Sequence, residues 1–226
     1  ATNLLGGGGR THLIELLRAA NPPEVGIHRV IVWGSEETLE SLEERDWLEK
    51  QSPRFLNRRK LHRLLWQRFA LSKAARSEHC DVLFVPGGSF VGDFSPTVVM
   101  SRNMLPFEWC ELRRFGWSPT TLRYLLLRKT QSRAFRRASG LVFLTEYARE
   151  SVEKVTGKVP GAVTVIPHGV NKRFLQVPRA EVLACDSVDN NPIRVLYVST
   201  VNEYKHQWAV VEGIGRLRSC MDISLS

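Results

Sequence analysis

Long hydrophobic runs are missing from this chain of 226 residues. No apolar stretch approaches the ~20 residues that a helix needs to cross a bilayer, and the opening ATNLLGGGGR has the pattern of neither a signal peptide nor a charged targeting segment. Cysteine is scarce. Cys80, Cys110, Cys185 and Cys220 lie far apart, with no CxxC and no His at ligand spacing. They read as reduced structural thiols, which points to the cytoplasm and away from a disulfide scaffold or a structural zinc. No DxD-type carboxylate pair is present to hold a cation on a diphosphate. A dinucleotide fingerprint is incomplete as well. Counting from Gly6 or Gly7, the place of its third glycine falls on Thr11 or His12. A nicotinamide cofactor is therefore not expected, nor any other cofactor.

Negative charge is absent from two long stretches, and the formal net charge is +9. Arg54 to Arg76 holds eight basic residues and no acid; Arg113 to Arg137 holds eight more and no acid. Together they carry 16 of the 32 Lys and Arg. Such clustering implies an anionic partner, whether lipid headgroup, nucleic acid or nucleotide. Within the first stretch Leu61, Leu64, Leu65 and Phe69 form one helical stripe, with Trp66 off its centre, where an indole can reach an interface. The second repeats the theme with Trp117, Leu122, Leu125 and Leu126 among its arginines. Helices of this kind lie on anionic bilayers. The competing account packs both stripes on a sheet and leaves the arginines solvated.

Elements alternate along the chain. After Asn3-Leu4-Leu5, the end of a strand, come Gly6 to Gly9 and a helix expected from Thr11 to Ala20. His28 to Trp33 reads as a strand, about Glu36 to Lys50 as an acidic helix, and Asn57 to Ser77 as one long basic helix. Asp81 to Val85 and Thr97 to Met100 are strands, and Thr121 to Ala138 is the second basic helix. Gly140 to Leu144 is a strand, Thr145 caps a helix from Tyr147 to Thr156, and Ala162 to Ile166 is a strand. Last come the strand VLYV, Val195 to Val198, and a helix carrying Trp208, Val211, Ile214 and Leu217, with Lys205 at its start. The alternation predicts an α/β fold with a doubly wound parallel sheet.

Two ordered stretches resemble the large family 4 of retaining GT-B glycosyltransferases. VIPHGV, Val165 to Val170, followed by Asn171 and Phe174, is similar to the segment that leads into that family's second domain. VLYVSTVNEYKHQWAVVEGI is similar to the first βα unit of that domain. There the strand runs into Gly-Arg, with a Lys five residues later; here Ser199-Thr200 takes the Gly-Arg place, and Lys205 falls on the Lys. GLVFLTEYARESV resembles the family's penultimate N-domain unit. The resemblance implies an acceptor-side Rossmann-like domain over 1–178, a linker over 179–192 and the beginning of a nucleotide-sugar-binding domain over 193–226. One βα unit cannot bury a core of its own, so the chain reads as a fragment.

The implied activity is transfer of a sugar from a nucleotide-sugar donor to an acceptor hydroxyl, with retention and without a metal. The donor diphosphate would meet Lys205, Thr200 and Ser199, together with Gly7, Gly8 and Gly9, whose loop faces donor and acceptor across the cleft. Asn103 stands nearest the family's cleft His, and Glu146, His168 and Gly169 also fall on cleft positions. Blander accounts stand beside these. They are an ordinary βα turn at Lys205, a flexible glycine loop, a loop Asn satisfying backbone groups at 103, and a first-turn Glu favoured by the helix dipole at 146. The family's carboxylate motif would lie beyond Ser226, so no catalytic residue is assigned, and this piece is expected to be inactive alone. The expected partners are a nucleotide sugar, a sugar or lipid-linked acceptor, and an anionic membrane surface. Two alternatives use the basic helices otherwise, as a nucleic-acid-binding domain or as a noncatalytic docking domain. No nucleic-acid reading motif occurs, so nucleic acid is disfavoured.

Overall fold

The computed structural model of the chain describes residues 7–177 and 195–220. The chain divides into two compact units. One comprises Ala1–Trp109 and Leu122–His168, the other Cys110–Thr121 and Gly169–Ser226. The expected linker, 179–192, lies outside the described residues, as does the opening strand Asn3 to Leu5.

The first unit alternates strands and helices: α1 (Gly7–Ala19), β1 (Val30–Trp33), α2 (Glu36–Glu40), β2 (Leu48–Gln51), α3 (Lys60–Phe69), α4 (Leu71–Ser77), β3 (Leu83–Val85) and β4 (Thr97–Met100). Most of the short α5 (Trp109–Arg113) and the start of the long α6 (Pro119–Arg137) fall in the second unit; from Leu122 the rest of α6 belongs to the first, followed by β5 (Gly140–Phe143), α7 (Glu146–Thr156) and β6 (Ala162–Val165). Every strand pairing is parallel. β1 pairs with β2, and β3 to β6 form a four-stranded sheet in chain order. This is the parallel α/β architecture that the alternation predicts.

Period-2 alternation along β1 places its side chains on two cores. Val30 and Val32 pack with Leu13 of α1 and with Leu39, Leu42 and Leu48. Ile31 and Trp33 face a larger cluster that holds Trp66, Leu71 and Ala75 from α3 and α4, and Val85, Val99, Leu141 and Phe143 from the sheet. Helical residues therefore cover both sides of the strand. Phe135 of α6 is fully buried in the larger core and stacks on Phe107 with ring centroids 5.8 Å apart. Thr145 caps α7 as expected, its hydroxyl accepting from the Ala148 N–H at 3.0 Å.

Four expectations need correction. The acidic helix stops at Glu40, and Leu48 to Gln51 is a strand instead. Its polar sequence LEKQ hides it from any hydrophobic pattern, but it pairs with β1, and Lys50 is held by the Leu42 carbonyl at 2.6 Å. The long basic helix is two helices, broken at Ala70 where φ is −110°. Helix α1 starts at Gly7 rather than Thr11, so the glycines form its first turn. Val195 to Val198 is not a strand, because no ladder partner for it exists among the described residues.

The largest difference concerns which side of α3 is buried. Arg63, Trp66 and Gln67 face inward, and Trp66 belongs to the core rather than to an outer interface. The stripe of Leu61, Leu64, Leu65 and Phe69 lies in solvent. On α6 likewise, Leu122, Leu125 and Leu126 are exposed, whereas Gln131, Ser132, Ala134 and Phe135 are buried.

The second unit contains a short turn of 3-10 helix at Lys172–Phe174, another at Glu203–Lys205, and α8 (Gln207–Cys220). Asn171 caps the first of these turns through Arg173 N–H at 3.0 Å. Among the described residues no helix is long and apolar enough to cross a membrane.

Candidate functional site

In a parallel α/β sheet, ligands gather outside the carboxyl ends of the strands, because the loops there meet helix N-termini. In the first unit these ends lead into Pro86 to Ser89 after β3, Ser101 to Asn103 after β4, Thr145-Glu146 after β5, and Ile166 to His168 after β6. Three side chains from this set and from α1 interact. His12 and His168 lie edge to face, with ring centroids 4.8 Å apart and planes at 67°. Arg102 is close enough for its charge to act on His12. Burial first, then Arg102, then His168, hold the His12 pKa below the usual imidazole value. Burial alone pulls the Arg102 pKa down from the guanidinium range.

These groups carry unmet hydrogen-bonding capacity. The Nε2 of His12 and the Nε of Arg102 have no hydrogen-bond partner, and no carboxylate among the described residues pairs with Arg102. The Ser101 hydroxyl, buried beside it in the chain, also lacks a partner. A half-buried cation without a counter-ion is costly. An anion arriving there recovers that cost through charge-assisted hydrogen bonds. Gly7 to Gly9 add a helix N-terminus on α1, the element that carries His12, and the helix dipole there favours negative charge. Gly7 has φ +64° with open space around it, a conformation that a side chain would strain.

A second polar group lies where β3 ends. Gly88, at φ +75°, leaves room for the Gln131 amide; a Cβ there would stand 3.0 Å from its Nε2. The Gln131 Oε1 and Ser132 Oγ have no partner, and Gln67 donates to the Ser89 carbonyl at 2.9 Å.

Of the residues singled out in the sequence, the structure joins His168 to His12 and puts Gly7 to Gly9 at the head of the same helix. Asn103 folds back on its own loop, its Oδ1 accepting from Leu105 N–H at 3.2 Å. That is the bland account of a loop Asn. Glu146 is exposed at the first turn of α7, 3.7 Å from Arg149. Gly169 follows His168 in open space. In the second unit, Lys205 ends a 3-10 turn rather than opening α8; His206, at φ +55°, separates the two. Its Nζ lies 5.1 Å from the Tyr204 ring, and its carbonyl accepts from Tyr197 Oη at 2.7 Å. Ser199 Oγ donates to the Thr200 carbonyl at 3.0 Å, which also accepts from Gln207 Nε2 at 2.8 Å.

The family model of Glycosyltransferase Family 4 matches residues 6–174, from the glycine run through the strand ends just described. The chain belongs to that family. Nothing among curated proteins or solved structures matches it. As a member of Glycosyltransferase Family 4 it is a glycosyltransferase in general terms, with a sugar donor and an acceptor as substrates. The matched segment contains His12, Arg102 and His168. Sequence reading singled out only the last, although His12 follows the glycines by three residues and Arg102 nearly abuts the end of β4. Nothing local links positions 12, 102 and 168; only the sheet does.

Proposed function

We propose that the chain moves a sugar from a nucleotide-sugar donor to an acceptor hydroxyl in the cytoplasm, with retention of anomeric configuration and without a metal. The observation that carries this reading is the edge-to-face pair of His12 and His168, with His12 in the field of Arg102, whose Nε has no hydrogen-bond partner. As the glycosidic bond to the donor breaks, negative charge grows on the departing diphosphate. Fixed cations and helix N–H groups aimed at that charge lower the barrier most where water is excluded. Arg102 holds the phosphate oxygens, His12 donates a proton or a hydrogen bond to them, and the first turn of α1 adds backbone N–H groups. Within the second unit, the family resemblance assigns Lys205, with Ser199 and Thr200, to donor contact. Glu146 and Gly169 stand on the acceptor side.

The test uses protein expressed from its full reading frame and a panel of nucleotide sugars, with nucleoside diphosphate release as the readout. Release from at least one donor, reduced tenfold or more by Arg102→Gln, is expected. Release that Arg102→Gln leaves unchanged removes Arg102 from the site. No release from any donor overturns the proposal.

A further inference from the structure

Helix α3 turns the usual arrangement round. It buries Arg63 and Gln67 together with Trp66, and holds Leu61, Leu64, Leu65 and Phe69 in solvent, each between 42% and 64% exposed. Phe55, in the turn before the helix, is exposed as well. At helical spacing, positions 61, 64, 65, 68 and 69 lie on one face. Arg68 stands among the apolar residues, its guanidinium carbon 5.3 Å from the Phe69 ring centroid. Arg58 and Arg59 are exposed at the entrance to the helix. No acid occurs between Arg54 and Ser77. Among the described residues Arg76 is the one member of this run with a carboxylate partner, Asp93 at 3.3 Å.

Single exposed leucines are ordinary, but four large apolar side chains on one short helix face form a contiguous patch that calls for an occupant. Trp66 is anchored in the core on the opposite side, so the orientation of the helix is set by packing. We infer that α3 and the turn before it dock on an anionic lipid surface. Leu61, Leu64, Leu65 and Phe69 enter the boundary between headgroups and acyl chains, and Arg58, Arg59 and Arg68 meet the lipid phosphates. Charge complementarity selects this occupant. A second copy of the same face would bring arginines against arginines. A nucleic-acid backbone would satisfy the arginines and leave four apolar side chains unused. With only ten residues in the helix, the attachment is weak and reversible. Docking does not depend on which sugar is moved, so its failure leaves the proposed transfer standing.

The experiment is sedimentation of the full chain with vesicles, either phosphatidylcholine alone or with roughly one-third phosphatidylglycerol to give a negative surface. Binding to the anionic vesicles at low salt is expected, with little on the neutral ones and most of it lost at high salt. Each basic residue near such a surface is worth about fivefold in affinity, so reversing Arg58, Arg59 and Arg68 to Glu weakens binding by about a hundredfold or more. Leu64→Asn and Phe69→Ser each weaken it by about tenfold. Both side chains are exposed, so the fold survives the changes. No binding to anionic vesicles at low salt overturns the inference. So does binding that Leu64→Asn with Phe69→Ser leaves intact, since charge alone then explains it. A dimer in solution that the same two substitutions dissociate, with vesicle binding unaltered, gives the face to a second copy instead.

Discussion

Replacing Arg102 by Gln separates ligand binding from stability, because the two respond in opposite directions. The guanidinium is half buried, its Nε has no partner, and desolvation works against its charge. A side chain in that state contributes little to the free fold and much to a bound anion. A hydrogen bond to a charged group contributes about 1.5–3 kcal/mol, so loss of the guanidinium weakens nucleoside diphosphate binding by roughly 10- to 150-fold. Stability follows the other sign. Gln removes a desolvated cation without breaking an ion pair, so the melting temperature holds or rises. For a chain of this size, 1 kcal/mol corresponds to about 2–4 °C. Isothermal titration with nucleoside diphosphate measures the first effect, and thermal unfolding of the ligand-free protein measures the second. A melting temperature lowered by several degrees, with affinity unchanged, refutes the reasoning and makes Arg102 a structural residue.

Protonation of His12 gives a related outcome. Its folded pKa lies below the ordinary value of about 6.5, so the unfolded chain takes up the proton first as pH falls. The stability from keeping His12 neutral is present above that value and is lost as pH drops toward the folded pKa. A bound phosphate favours the protonated ring, so diphosphate affinity rises over the same window; His12→Asn flattens that slope in titrations on either side of it. In the second unit, Lys205→Ala is expected to weaken diphosphate binding by about 1.5–3 kcal/mol, and equal affinity in the two proteins removes Lys205 from the proposed donor contacts. Trp66→Ala costs about 3–5 kcal/mol in denaturant unfolding, whereas Leu61→Asn, on the exposed face of the same helix, stays within about 0.5 kcal/mol. The reverse order would put the stripe in the core.

The sequence by itself determined the parallel α/β class and most strand positions. Runs such as VIVW, TVVM and GLVF leave few other conformations once helical segments separate them. It also determined the Thr145 cap, a bond that closes within three residues. It marked α3 as amphipathic, since that property depends only on spacing along one helix. Which face of α3 turned inward was decided by tertiary structure. Trp66 fills space against Leu71, Ala75 and the sheet, and the leucine stripe was left outside. Tertiary structure also made a strand of the polar LEKQ, because β1 offers it a ladder of backbone groups to which side chains are nearly irrelevant. The meeting of His12, Arg102 and His168 belongs to the same class. They come from a helix and two strand ends distant in sequence, and only the parallel order of β4, β5 and β6 carries those ends to one edge. Periodicity is local, so it can name the faces of an element; it holds no record of what each face will touch.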